Sequence, residues 1–258
     1  MTNKYIVANW KMSPTSIAEA EDLLAYIDEH LQNETENKEH SLIICPPFVF
    51  LDDVSKILST SRLSGQAELG AQDIALADFG AWTGEISGPM LKRLNVKYVI
   101  VGHSERRWKI GESDEVVNKK LKTILANELT PIVCVGERER NNNFQEFLKN
   151  QIKATFAGLS ADDISKCLIA YEPVWAISSN PGAYPDTPES ALESIFVIQE
   201  VLTVNCKLET RNLPPFLYGG SVNATNAKDF LSLNEIAGVL VGGASVRKEE
   251  FIQILKNS

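Results

Sequence analysis

Nowhere in its 258 residues does this chain approach the ~20 uninterrupted apolar residues that a membrane-spanning helix requires, so the sequence reads as that of a soluble protein. Positive charge is in short supply: 25 Lys and Arg stand against 34 Asp and Glu, a formal net charge of -9. That balance argues against a nucleic-acid partner, because a phosphate backbone is held by broad lysine and arginine surfaces. An anionic small ligand would need a locally positive pocket. The four cysteines, Cys45, Cys134, Cys167 and Cys206, include no CxxC pair, and the N-terminus lacks the apolar core of a secretory signal. A reducing cytoplasm is the expected location. Cys45 and Cys134 sit inside apolar runs, where cysteine acts as a small buried hydrophobe, and they are assigned no chemistry. No low-complexity linker interrupts the chain, so residues 1–258 are read as one domain. His30 and His40 have no motif around them and are expected to face solvent.

What the chain does have is rhythm. Short apolar runs recur at Tyr5–Ala8, Leu42–Cys45, Glu68–Ala71, Tyr98–Val101, Pro131–Val135, Leu168–Tyr171, Phe216–Tyr218 and Ala237–Val241, each followed by a longer stretch of helical periodicity. In the first such stretch Ala20, Leu24, Ile27 and Leu31 share one helical face, and Ser16 with Glu19 has the pattern of a capping box. Thr187-Pro188 reads as a cap followed by a first-turn proline, opening a helix that carries Leu192, Ile195, Val201 and Leu202 inward. Strands that return in the same direction need crossovers, so this alternation predicts a parallel sheet. Eight repeats close naturally into a (β/α)8 TIM barrel, for which ~250 residues is a usual length. A doubly wound open sheet is the other architecture compatible with the pattern.

In such a barrel the functional residues gather at the carboxyl ends of the strands, and a phosphate site follows the last two. Leu168-Ile169-Ala170 runs into Tyr171-Glu172-Pro173, and a residue before proline is pushed to extended geometry, which sets Glu172 at a strand tip. Ile6-Val7-Ala8 leads to Asn9-Trp10-Lys11, and Val99-Ile100-Val101 leads to Gly102-His103-Ser104-Glu105. A base, an imidazole and a cation are thereby predicted at equivalent points. After the seventh and eighth runs come Gly219-Gly220-Ser221 and Gly242-Gly243-Ala244-Ser245. Glycines let the backbone approach a ligand closely, and exposed N–H groups favour an anion.

Together Asn9-Trp10-Lys11, Gly102-His103-Ser104-Glu105-Arg106-Arg107, Ala170-Tyr171-Glu172-Pro173-Val174-Trp175, Tyr218-Gly219-Gly220-Ser221-Val222 and Val241-Gly242-Gly243-Ala244-Ser245 closely resemble the triosephosphate isomerase family, in order and over nearly the whole chain. The resemblance implies reversible exchange between D-glyceraldehyde 3-phosphate and dihydroxyacetone phosphate, without metal or organic cofactor. It implies Glu172 as the base that moves a proton between neighbouring carbons and His103 as the group that polarises the carbonyl. It places Lys11 and Asn9 as donors toward the developing oxyanion, with Glu105 in support. It assigns the phosphate to Ser221, Gly242 and Gly243, and to Ser178 of a lid. Preorganised donors in a dry pocket suit an enediolate, whose negative charge develops on oxygen.

The lid departs from the family. Where relatives continue Ala-Ile-Gly-Thr-Gly-Lys, this chain runs Ala176-Ile177-Ser178-Ser179-Asn180-Pro181-Gly182-Ala183-Tyr184-Pro185-Asp186, a few residues longer and braced by two prolines. Ser178 keeps a backbone N–H for phosphate, at about 1 kcal/mol if it must take the left-handed conformation. Gln72-Asp73 stands where Gln-Asn is common, near the rim and a subunit contact, and the segment from Arg138 to Asn143 is shortened. Gly80-Ala81-Trp82-Thr83-Gly84-Glu85 resembles the family's protruding third loop, so a homodimer is expected, with Trp82 as an interface anchor. Two other functions remain to be separated: a barrel acting on another small sugar phosphate, and a catalytically silent phosphate-binding paralogue, for which the altered lid speaks.

Overall fold

The computed structural model describes residues 4–31 and 40–258. Eight parallel strands, β1 (Lys4–Asn9), β2 (His40–Cys45), β3 (Ala67–Ala71), β4 (Val96–Val101), β5 (Thr130–Val135), β6 (Leu168–Tyr171), β7 (Phe216–Tyr218) and β8 (Gly238–Val241), close in sequence order into a barrel. The ring is completed where Tyr5 to Ala8 of β1 pair in register with Gly238 to Val241 of β8. The doubly wound alternative is excluded by that closure. Outside the ring run α1 (Ile17–Leu31), α2 (Leu51–Thr60), α3 (Gly88–Arg93), α4 (Asp114–Ala126), α5 (Phe144–Thr155), α6 (Ala161–Ser165), α7 (Pro188–Val204), α8 (Ala227–Leu231) and α9 (Lys248–Lys256).

Each strand is buried on both faces, which is why the runs read as continuous apolar stretches rather than alternating ones. One set of side chains fills the ring, among them Val7, Ile43, Cys45, Ile100, Ile132, Cys134 and Leu240. The opposite set, including Ile6, Leu42, Val99, Val133 and Ile169, packs against Leu24, Val54, Leu121, Ile152, Ile195 and Phe251 of the helices. Cys45 and Cys134 are buried and unpaired, within the ring where the sequence puts them.

Two expectations shift in detail. The helical stretch after β3 is short, six residues, because the chain first makes a long excursion from Gln72 to Ser87 whose base is closed by the Ala75 N–H on the Ile86 carbonyl at 2.8 Å. At the start of α1 the Ser16 hydroxyl accepts the Glu19 N–H as predicted, but the Glu19 carboxylate reaches past Ser16 to the Thr15 N–H at 2.9 Å and the Thr15 hydroxyl at 3.3 Å. Thr15 offers two donors, so it captures the returning arm. Thr187 and Pro188 open α7 as expected, the threonine oxygen accepting the Ser190 N–H. Among the described residues no helix is long and apolar enough to cross a membrane.

Candidate active site

Lys11 follows directly from β1 and takes φ 55, the left-handed region that costs a side-chain-bearing residue energy. Local bonds hold it there. The Asn9 side-chain oxygen accepts the Lys11 N–H at 3.1 Å, and the Gln72 amide donates to the Lys11 and Cys45 carbonyls, both at 2.9 Å. The strained turn aims the lysine across the mouth of the ring, where its ammonium meets Glu105 Oε1 at 3.0 Å. Burial works to raise the Glu105 carboxyl, but Lys11 and His103 outweigh it and hold that group below the usual carboxylate range.

Gly102-His103-Ser104 leaves β4 and opens a turn of π-helix, Arg106–Ile110. The Glu105 N–H donates to His103 Nδ1 at 3.2 Å, so that nitrogen presents a lone pair and the ring hydrogen resides on Nε2. His103 Nε2 stands 3.0 Å from Glu172 Oε1. The second oxygen of Glu172 accepts the Ser104 backbone N–H at 2.7 Å. Glu172 is 2 % exposed and His103 6 %, so the imidazole and carboxylate meet out of bulk water. Beneath them lies Cys134, whose thiol is pushed well above its ordinary value by burial first and by the Glu172 carboxylate second.

Close backbone approach makes this arrangement possible. A Cβ on Gly136 would lie 1.8 Å from the Glu172 carbonyl oxygen, and one on Gly219 would lie 2.9 Å from Glu172 Cγ. Neither position has room for a side chain. Gly219 and Gly220 follow β7 and Gly242 and Gly243 follow β8, lining with Ser221 the same pocket of about 320 Å³ as Asn9, Lys11, His103, Glu105, Glu172 and Ser178. All nine residues singled out from sequence thus border one cavity at the carboxyl end of the barrel. The volume is at the small end of ligand pockets.

The lid begins at Pro173 and lies folded against the β7 loop. The Ser178 N–H donates to Ser221 Oγ at 2.7 Å, and that hydroxyl donates to the Ala176 carbonyl at 2.9 Å. Ser178 lies outside the set of residues with positive φ, so the left-handed cost foreseen for it does not arise, and Gly182 takes the positive φ instead. Within the lid, the Tyr184 ring packs tilted against the Trp175 ring with centroids 4.6 Å apart, and the Asn180 amide donates to the Val174 carbonyl at 2.8 Å. The longer segment is therefore tied back to its own hinge.

Sequence reasoning passed over several residues that hold this site. Glu137, 1 % exposed, accepts on one oxygen the Tyr171 hydroxyl at 2.8 Å, the Trp175 indole N–H at 2.9 Å and an Arg140 N–H at 3.1 Å. Its position two residues past β5, after Gly136, was the available signal. Ser104 acts through its backbone and leaves no trace in composition. Asp73 also proves different from the rim residue expected: it is 5 % exposed, and its Oδ2 meets Lys120 Nζ at 2.6 Å and Arg106 Nη2 at 2.8 Å, while Glu112 bridges the same two cations at 2.6 and 2.7 Å. Two buried carboxylates thus share two cations, and Arg106 ties the His103 loop to β3 and α4. Burial still leaves the Asp73 carboxyl above its ordinary range, against the pull of Lys120 and Arg106. His30, whose Nδ1 lies 2.8 Å from the Tyr26 carbonyl, and His40 on β2 are both outside the pocket. Among the described residues no group of three or more His, Cys, Asp or Glu is arranged to hold a metal.

Comparison with known proteins agrees along the whole length. The sequence profile of triosephosphate isomerase matches residues 4–258. The triosephosphate isomerase of Dictyoglomus thermophilum is 41 % identical over 261 residues, covering 100 % of both chains. That of Alkaliphilus oremlandii is 40 % identical over 260 residues, with 99 % of each chain covered. Among solved structures, the triosephosphate isomerase of Bartonella henselae superposes with a TM-score of 0.81 at 30 % identity, covering 99 % of this chain and 98 % of its own.

Proposed function

The chain belongs to the triosephosphate isomerase family, and from that membership we infer how its own residues perform the interconversion of triose phosphates. It is an isomerase; the assignments of individual side chains are our reading. The observation that carries them is the meeting of Glu172 Oε1 and His103 Nε2 at 3.0 Å in a pocket that also receives Lys11.

Glu172 removes a proton from the carbon beside the carbonyl of D-glyceraldehyde 3-phosphate or dihydroxyacetone phosphate and returns it to the neighbouring carbon. In the structure its carboxylate rests on the Ser104 N–H and the His103 ring, and substrate draws it away from both. His103 then gives its Nε2 hydrogen to the carbonyl oxygen and takes the proton of the neighbouring hydroxyl back onto Nε2, so the ring ends as it began, a role supported by the Nδ1 lone pair that the Glu105 N–H occupies. Lys11 supplies positive charge where the enediolate oxygens become negative, in a site partly closed to water, where such charge is most effective. Asn9 and Glu105 set the lysine in place from either side. The phosphate lies toward the backbone N–H groups of Ser221, Gly242 and Gly243. Ser178 joins them when its N–H exchanges Ser221 Oγ for a phosphate oxygen. No metal or organic cofactor is called for by this scheme.

Loss of a positioned general base costs ~10²–10⁴ in rate, so Glu172→Gln should lower kcat by at least that range in a coupled assay while phosphate-ligand binding survives. Turnover near the wild-type level would refute the assignment. A silent paralogue would instead bind phosphate ligands and show no turnover in the unmodified chain.

The reading extends to a homodimer. The excursion after β3 carries Phe79 at 82 % and Trp82 at 49 % exposure, a cost in water that a partner subunit would relieve. The free cysteines support a reducing, cytoplasmic setting, and the closure of all eight strands into one ring supports a single domain.

A further inference from the structure

Two cations and two carboxylates line the pocket, Lys11 and Arg247 against Glu105 and Glu172. Lys11 is paired with Glu105, so without Arg247 the charged side chains bordering the cavity would sum to one negative. The chain as a whole carries a further deficit, -9. A phosphate-bearing substrate brings about two more negative charges. The glycine amides can offer hydrogen bonds but no net charge.

Arg247 stands at the phosphate end. It follows the turn Gly243–Val246 and caps α9, with its N–H on the Ala244 carbonyl at 3.2 Å. Its Nη1 lies 3.5 Å from where a Cβ on Gly243 would be, directly over the glycine that borders the cavity. The Nε side is held by Glu250 Oε2 at 2.5 Å, one turn along the same helix. Glu250 is the one carboxylate paired with it among the described residues. An arginine fork anchored by Nε keeps its Nη hydrogens available and pre-aimed.

Resting on the isomerase reading, we propose that Arg247 is a substrate-affinity residue for this reaction: its guanidinium, aimed by Glu250, supplies the positive charge that draws the substrate phosphate onto the Gly242-Gly243 amides. It acts on capture and not on proton transfer. Charge that steers an anion into a cleft raises association several-fold or more and fades with salt.

The test compares Arg247→Gln, Arg247→Lys and Glu250→Gln with the unmodified enzyme. For Arg247→Gln, kcat/KM at low ionic strength should fall about tenfold with kcat nearly unchanged, and the gap should close as salt rises. Inhibition by inorganic phosphate, read also by calorimetry without turnover, should weaken by a similar factor. Arg247→Lys should recover much of both. Glu250→Gln keeps a carbonyl oxygen to accept the Arg247 Nε hydrogen and removes only a neighbouring negative charge, so it should not lower phosphate affinity. Unchanged phosphate binding in Arg247→Gln would overturn the proposal, as would a loss confined to kcat, a loss indifferent to salt, or matching losses in the Arg247 and Glu250 variants, which would mark a helix-capping role. An unmodified chain that binds phosphate but turns nothing over would count against the isomerase reading, not against Arg247.

Discussion

Replacing Glu137 by leucine should be among the most damaging single changes in this protein, although Glu137 touches no substrate. In the native fold one oxygen receives the Tyr171 hydroxyl, the Trp175 indole and Arg140. Arg140 has other partners in Ser194 and Glu193, so it is not stranded. The tyrosine and tryptophan donors are buried and would lose their acceptor, at ~1–3 kcal/mol each. Against this, the carboxylate's own burial penalty disappears, and its Oε2 has no hydrogen-bond partner to lose. The balance is a loss of about 2–4 kcal/mol. For a chain of this size that corresponds to a fall in Tm of roughly 5–15 °C at fixed protomer concentration. Glu137→Gln keeps an acceptor oxygen and should lose less than half as much. Because the Trp175 indole is one of the stranded donors and Trp175 lies in the lid hinge, kcat should fall as well, with the leucine variant affected more. Thermal and urea denaturation of the two variants would check the ledger. A leucine variant within ~0.5 kcal/mol of wild type would refute it, since buried donors would then have tolerated the loss of their acceptor at no cost.

Glu105, held below the usual carboxylate range, contributes stability that is present above its unfolded pKa and is lost as pH falls through its lower folded value. Urea midpoints measured from about pH 5 downward should therefore drop more steeply for wild type than for Glu105→Gln; parallel curves would show that the Lys11 pair makes no such contribution. The proposed homodimer predicts a dimer mass by light scattering at micromolar concentration, which Trp82→Asp, by placing a charge on the exposed excursion, should shift toward monomer. An unchanged mass would remove Trp82 from any interface.

Much of the barrel was legible because a buried parallel strand has few ways to be written. Leu42–Cys45 and Leu168–Tyr171 are apolar throughout, since both faces are covered, and the helices between them repeat with one inward stripe. The strand tips were legible too, because Glu172 before Pro173 and the glycine pairs after β7 and β8 have a local conformational reason to be where they are. The Ser16 cap was read correctly only on one arm, since the other depended on Thr15 offering two donors.

By itself the sequence determined the number and order of the strands, the residues at their ends and the chemistry those residues could carry, all of which follow from the period and identity of neighbouring side chains. Only the tertiary structure decided that Ser104 N–H holds the Glu172 carboxylate, that Asp73 and Glu112 share two cations, that Ser178 spends its N–H on Ser221, and that Arg247 overlies Gly243. Ser104 meets Glu172 across 68 residues, Asp73 meets Lys120 across 47 and Ser178 meets Ser221 across 43, while Arg247 sets a side chain against a backbone only one turn away. Their partners are chosen by how the ring closes, and no local pattern records that choice.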